Sequence, residues 1–304
     1  VNEEPGFGLP SAELTIAESL HDAGYTTGLI GKWHQGGTAR YHPFRHGFDE
    51  FFGFTHEGHY FVPPPYKGVT TLLRRKTLPG GAQGIWMGQG GLHYHNKLGR
   101  NEPDYDANSP IVRGGQPVVE TEYLTDALTR EAVDFIDRHD NKPFFLYLAY
   151  NAVHAPAQAP KEDIARMQKK FPQLDEKRAI LMAMLRHLDL GVGSVVKKLK
   201  DEGLWENTLF FFLTDNGGAK AMNANNGILR GFKGSLYEGG IRTPWVVSWP
   251  AKFSGGRTID APVISLDILP TVVDAMGTKV EGRRVFDGKS LLPLLMGKST
   301  AHHP

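Results

Sequence analysis

The sequence runs to 304 residues, with 34 Lys and Arg against 33 Asp and Glu, and 40% of it is hydrophobic. That suffices for one large domain, since single cores stop growing near roughly 250–300 residues, and the even charge balance does not call for a polyanion-binding stripe of the nucleic-acid kind, although charge can still be concentrated locally. The absence of Cys excludes disulfides, thiolate metal sites and a cysteine nucleophile among these residues, and no apolar run reaches the roughly 18 residues that span a bilayer.

Helical and extended signals alternate along the chain, which predicts an α/β domain on a largely parallel sheet. Thr15 and Glu18 have capping-box spacing, Ile16, Leu20 and Ala23 form an apolar stripe, and Gly24 occupies a C-cap position. An extended segment follows over 25–34. Between 61 and 117 the chain is rich in Gly, Pro and His without clear periodicity. It reads either as a loop-rich insertion near the mouth of a site or as a surface excursion. A helix is expected over 122–138, with Leu124, Leu128, Ala132, Phe135 and Ile136 inward. The apolar run 143–149 reads as a buried strand. A long helix is expected over 176–202, with Ile180, Met184, Leu188, Val192, Val195 and Leu199 inward. Further buried strands are expected over 209–213 and 245–249, then a helix over 266–276 that tolerates Pro270 in its first turn.

Four segments beside these strands carry groups suited to chemistry. In Gly28-Leu29-Ile30-Gly31-Lys32-Trp33-His34, extended geometry would project Lys32 and His34 together and pack Trp33 opposite. A Lys-x-His pair is by default a surface pair, but Leu29 and Ile30 place this one at the end of a buried strand, where ligands bind in open α/β sheets. In Leu213-Thr214-Asp215-Asn216-Gly217-Gly218, two adjacent oxygen donors suit a hard divalent cation, and the same residues suit an Asx-type turn. His154, in Asn151-Ala152-Val153-His154-Ala155-Pro156, falls just past a strand end and is open to a functional or a structural role. Lys233, framed by Gly231 and Gly234, either binds an anion or stands as a solvated loop charge.

Together these segments would converge on one anionic ligand, and in this order they resemble the type I sulfatases of the alkaline phosphatase superfamily over nearly the whole chain. The resemblance implies an α/β fold with a large, mostly parallel mixed sheet sandwiched by helices, and a single sulfatase catalytic domain over 1–304. It gives Lys32 and His34 contacts with the nucleophile and the sulfate, with His34 helping to expel sulfate. Lys233 becomes a second sulfate-binding lysine, and His154 a sulfate-binding histidine that protonates the leaving oxygen. Asp215 and Asn216 become calcium ligands. The segment from Pro43 to Gly53 is also family-typical, in a structural role. The implied activity is hydrolysis of a sulfated carbohydrate or an aryl sulfate, in a periplasmic or secreted setting, with no nucleic-acid partner and no membrane span. His56, His59, Trp86, His93, Tyr94 and His95 are candidates for a sugar subsite; His93-x-His95 lacks a nearby carboxylate or third ligand for zinc.

The family's formylglycine arises from Cys or Ser in a short signature that these residues lack, and no early Asp pair precedes Lys32. Both are expected upstream of Val1, and the smaller C-terminal subdomain is expected to be largely absent. The 304 residues are therefore expected to be inactive and to hold calcium weakly, since two protein oxygens fall short of the roughly six to eight calcium takes. Two rival readings are a phosphate or phosphonate ester hydrolase of the same superfamily, and a non-catalytic relative that binds sulfated glycans.

Overall fold

The capping box forms as its spacing predicts: the Glu18 N–H donates to Thr15 Oγ1 at 3.0 Å and the Thr15 N–H to Glu18 Oε2 at 2.7 Å, opening helix α1 (Ile16–Asp22). The computed structural model describes residues 6–63, 69–74, 77–87, 92–96, 110–277 and 285–303. After α1 come β1 (Thr26–Lys32), β2 (Glu50–Phe54), β3 (Val69–Arg74), β4 (Ile85–Met87), β5 (Leu92–His95), β6 (Val112–Arg113) and β7 (Gln116–Pro117). Helix α2 (Leu124–Arg138), β8 (Phe144–Ala149), β9 (Gln158–Pro160), α3 (Lys161–Lys170) and α4 (Glu176–Asp201) follow. The rest is β10 (Phe210–Leu213), α5 (Glu238–Ile241), β11 (Trp245–Ser248), α6 (Ile268–Met276) and α7 (Leu292–Leu295).

The main sheet has the order β7-β6-β2-β1-β8, with β2, β1 and β8 parallel and β6 antiparallel to β2. Alternation along β1 divides its side chains between two cores. Leu29 packs with Ala17 of α1, Trp33, Phe48 and Phe51, while Ile30 packs with Phe52, Phe54 and the inner faces of α2 and α4. Helices thus cover both faces, the expected sandwich. Phe135 of α2 is fully buried against this sheet, a side chain whose burial alone contributes about 1.5–3 kcal/mol. Helix α4 opens at Asp175, whose carboxylate accepts from the Arg178 N–H at 2.8 Å. It is long and apolar enough to cross a bilayer by length and composition, yet it packs along α2 and α3 and buries Ile180, Met184, Val195 and Leu199.

The outer edge departs from expectation. Among the described residues β8 pairs only with β1, and β10 pairs only with β11, antiparallel, in a sheet of its own. Between β8 and β10 lies a cleft of about 2520 Å³, lined by Tyr147, Leu188, Val192 and Phe212 among others. The runs 143–149 and 209–213 are consequently half-buried rather than buried, and Leu188 and Val192 face the cleft instead of a core. The physical reason is neighbour count: a strand apolar on both faces is buried only when something flanks it on both sides.

Within 61–117, read as loop-rich, β3, β4 and β5 join β9 in a four-stranded sheet of order β4-β5-β3-β9, and β6 and β7 extend the main sheet. Phe61, Val62 and Leu78 are buried with Tyr123, Ile164 and Ile180 in a further core. At two or three residues, β4, β6 and β7 are too brief to register as periodicity, and the Val-Thr-Thr-Leu-Leu-Arg run of β3 neither alternates nor is continuously apolar.

Candidate active site

Lys32 ends β1, which is flanked by the parallel strands β2 and β8. Just before it the three parallel strands close tightly. Gly31 has φ +117°, and a Cβ there would lie 2.0 Å from the Ala149 carbonyl oxygen, so only glycine serves at this register. Trp33 turns into the core as predicted, its indole N–H donating to the Tyr41 carbonyl at 2.7 Å and its ring 5.5 Å from that of His46. His34 adopts φ +53°, in the left-handed region. The extended alternation expected over 25–34 therefore stops at the strand end, and a turn, not the pleat, aims His34. Lys32 and His34 nonetheless line one cleft with Asp215.

The charges around Lys32 come from three separate stretches of sequence. Burial lowers its pKa first and the Lys233 charge lowers it further, while Glu57 and Asp215 act in the opposite direction. Lys233 is exposed on its loop. Two ammonium groups held within mutual influence, one of them half-buried, make a favourable place for an anion. Burial and the Asp215 carboxylate also raise the pKa of Tyr147, on the cleft side of β8.

Hydrogen bonds fix the loops that carry Asp215 and Lys233. The Lys233 N–H donates to the Gly218 carbonyl at 3.1 Å and the Gly217 N–H to that of Gly240 at 2.9 Å. Asn226 ties both loops, accepting from the Gly218 N–H at 3.0 Å and donating to the Gly231 carbonyl at 3.0 Å. A Cβ at Gly217 would meet the Gly239 carbonyl oxygen at 1.8 Å, so glycine there lets the two loop backbones approach.

Asp215 and Asn216 lie side by side, and the Asn216 amide donates to the Asp215 carboxylate. The pair sits in a bend just after β10, and the Asp215 carboxylate acts on Lys32. The donor chemistry fits calcium, but two side chains fill only part of a shell of roughly six to eight oxygens.

His154 follows β8, its own N–H bonded to the Asn151 carbonyl at 2.7 Å. Its Nδ1 stands 2.9 Å from the Ala155 carbonyl. A carbonyl only accepts, so Nδ1 carries a proton and Nε2 is the atom that changes protonation state. Nε2 lies 4.0 Å from Oε1 of Glu57. His154, Asn216 and Lys233 are not among the residues lining the cleft itself.

Sequence reasoning misses Glu57, although it lies just past the end of β2 and meets the same strand-end criterion that singles out Lys32 and His154. It misses Asn151 as well: the side-chain amide is buried and has no hydrogen-bond partner among the described residues, beside the His154 turn. Of the sugar-subsite candidates, His59 sits 5.6 Å ring to ring from Phe54 and its Nδ1 lies 2.8 Å from the Tyr60 carbonyl, and His56 is half-buried. The side chains of Trp86, His93, Tyr94 and His95 lie outside what the structure describes.

The sequence profile of the family described as Sulfatase matches residues 1–278. Human steryl-sulfatase is 30% identical across 96% of this chain and 56% of its own length. The N-acetylgalactosamine-6-sulfatase of Canis lupus familiaris is 30% identical across 98% of this chain and 51% of its own. The chain thus spans about half the length of these curated relatives. Among solved structures, Ps i-CgsB in complex with k-i-k-neocarrahexaose superposes with a TM-score of 0.81 at 35% identity, over 97% of this chain and 60% of that one. The mixed sheet with parallel strands between helices agrees with the fold of these neighbours, and the chain belongs to the sulfatase family, as a type I, arylsulfatase-like member.

Proposed function

We propose that the protein containing these residues hydrolyses sulfate esters of carbohydrates, and that the groups around Lys32 form the sulfate-holding half of its site. One observation carries this reading: the charges of Lys233, Glu57 and Asp215, each from a separate stretch of sequence, all act on Lys32 at the end of β1. Lys32 and Lys233 hold the sulfate oxygens, where preorganised positive charge is usually the largest catalytic contribution. His154 protonates the departing oxygen through Nε2, and His34 takes the proton when sulfate is expelled. Asp215 and Asn216 contribute two ligands to a calcium ion, which when bound neutralises charge on the sulfate oxygens. Carbohydrate is favoured because Ps i-CgsB is seen with k-i-k-neocarrahexaose and the canine relative is named for an amino-sugar sulfate. A periplasmic or secreted setting is proposed on the family likeness alone.

The 304 residues contain no Cys. The nucleophile and the remaining calcium ligands are proposed to belong to residues beyond these. The test compares the whole protein and these 304 residues on matched aryl sulfate and aryl phosphate esters. The whole protein is expected to favour sulfate and the 304 residues to turn over neither. Robust sulfate hydrolysis by the 304 residues would refute the missing nucleophile, and preference for phosphate in the whole protein would refute the sulfatase reading. Sulfate binding without turnover by the whole protein, with mass spectrometry finding no formylglycine, would instead favour the non-catalytic glycan binder.

A further inference from the structure

We propose that Asp267, His302 and His303 form a binding site for Zn2+, sharing no residue with the groups around Lys32. Asp267 is fully buried in the turn ahead of α6. Its Oδ2 accepts from the Ile264 N–H at 2.9 Å and its Oδ1 from the Lys289 N–H at 2.8 Å. Those bonds fix the carboxylate and leave each oxygen a lone pair for a further partner. His303 Nε2 stands 2.8 Å from Oδ1 and 3.0 Å from Oδ2, and His302 Nε2 stands 3.1 Å from Oδ2. The three ligand atoms all lie within 4.8 Å of one another.

Two features point to a cation rather than to ion pairing alone. His302 Nε2 is buried and close to the carboxylate, yet the contact lacks hydrogen-bond geometry, so this nitrogen has no hydrogen-bond partner among the described residues. Charge balance points the same way. Two protonated imidazoles on one carboxylate would carry a surplus positive charge, beside Lys289, whose Nζ lies 3.3 Å from the His302 carbonyl. Two neutral imidazoles and a carboxylate around one divalent ion accommodate the charge without protons, and the two backbone N–H groups orient the carboxylate from behind.

The donor set selects among metals. Two imidazole nitrogens and one carboxylate suit Zn2+, with water in the fourth position, whereas calcium requires more oxygens. Zinc bonds of roughly 2.0–2.1 Å in a tetrahedron place ligand atoms about 3.3 Å apart. The observed separations of 2.8–3.1 Å need to open by only a few tenths of an ångström, within reach of side-chain rotation. A bound ion would clasp residues 302 and 303 to the turn before α6 and thereby stabilise the fold that contains the site.

The test uses untagged 304-residue protein, stripped with a chelator and titrated with Zn2+ in a calorimeter. One Zn2+ per chain is expected at this site, weakened on the order of 100-fold or more by His302→Ala and by His303→Ala, and not displaced by equimolar Ca2+. X-ray absorption of the zinc-loaded wild type should show two imidazole nitrogens with oxygen. The proposal is overturned if no such equivalent binds, if both substitutions leave it unchanged, or if absorption shows fewer than two imidazoles. The absorption result on the wild type decides the matter should either variant fail to fold.

Discussion

Glu57 faces His154 across 4.0 Å, Oε1 to Nε2, and also acts on Lys32. One carboxylate therefore stands near a candidate proton donor and acts electrostatically on a candidate sulfate-holding cation. Glu57 raises the Lys32 pKa and Lys233 lowers it, so two substitutions should move that titration in opposite directions. Glu57→Gln is expected to lower it further, and Lys233→Met to bring it back toward the usual lysine range. Carbon-13 NMR of the Lys32 Cε across an alkaline titration measures both; shifts of the same sign would mean that the three groups do not share a site.

Anion binding should follow the same titration. Lys32 holds sulfate only while protonated, and burial with the Lys233 charge puts its pKa below the usual lysine range. Sulfate affinity is therefore expected to fall as pH rises, at a midpoint below that of an exposed lysine. At neutral pH, losing one charged hydrogen bond of about 1.5–3 kcal/mol corresponds to roughly 10-fold or greater weakening for Lys32→Met. The effect of Lys233→Met should be smaller, because Lys233 is exposed and screened by solvent. Calorimetric titration with inorganic sulfate at several pH values checks both expectations.

In the sequence Gly31 is one residue of a strand among others, and its role emerges from the register. Gly31→Ala places a methyl group against the Ala149 carbonyl and forces φ +117° on a residue with a side chain. A destabilisation above about 2 kcal/mol is expected from clash and strain together, with displacement of Lys32. Urea denaturation gives the first quantity, and loss of sulfate binding in the folded fraction gives the second. An alanine tolerated without cost would show that the strand ends can separate.

What the sequence displays and what it hides divide along physical lines. A helix start is legible where capping is local: Thr15 and Glu18 act within one turn. Strand ends are legible because apolar runs stop where ligands bind, which brings out Lys32, His154 and Asp215. Glu57 is hidden because its partners are distant in sequence, His154 lying 97 positions on, and only pairing of β1 with β2 brings it near Lys32. Half-exposure of β8 and β10 is hidden for a related reason. An apolar run reports what a strand prefers to touch, whereas burial depends on which neighbours flank it.

His187 offers the clearest pH-dependent stability. Its ring lies between two helices' acids: Nδ1 stands 2.8 Å from Asp126 Oδ1, and Nε2 stands 3.1 Å from Asp163 Oδ2. Tyr123 packs against the ring at 4.6 Å, and Arg186 also pairs with Asp163, at 3.1 Å. Burial lowers the His187 pKa, but the hydrogen bonds and charges of Asp126 and then Asp163 outweigh it, so the net shift is upward. A histidine pKa raised by folding means that the folded state binds the proton more tightly. The stabilisation is then fully present below the unfolded value of about 6.5, and it disappears as pH rises through the higher folded value. His187→Ala is expected to cost about 2–3 kcal/mol at pH 6, less than a fully buried pair because Asp126 is half-exposed. The difference between wild type and variant should narrow as pH rises above neutrality. Urea midpoints at pH 6, 7, 8 and 9 test this, and a difference constant with pH would mean that the ring acts through packing rather than charge.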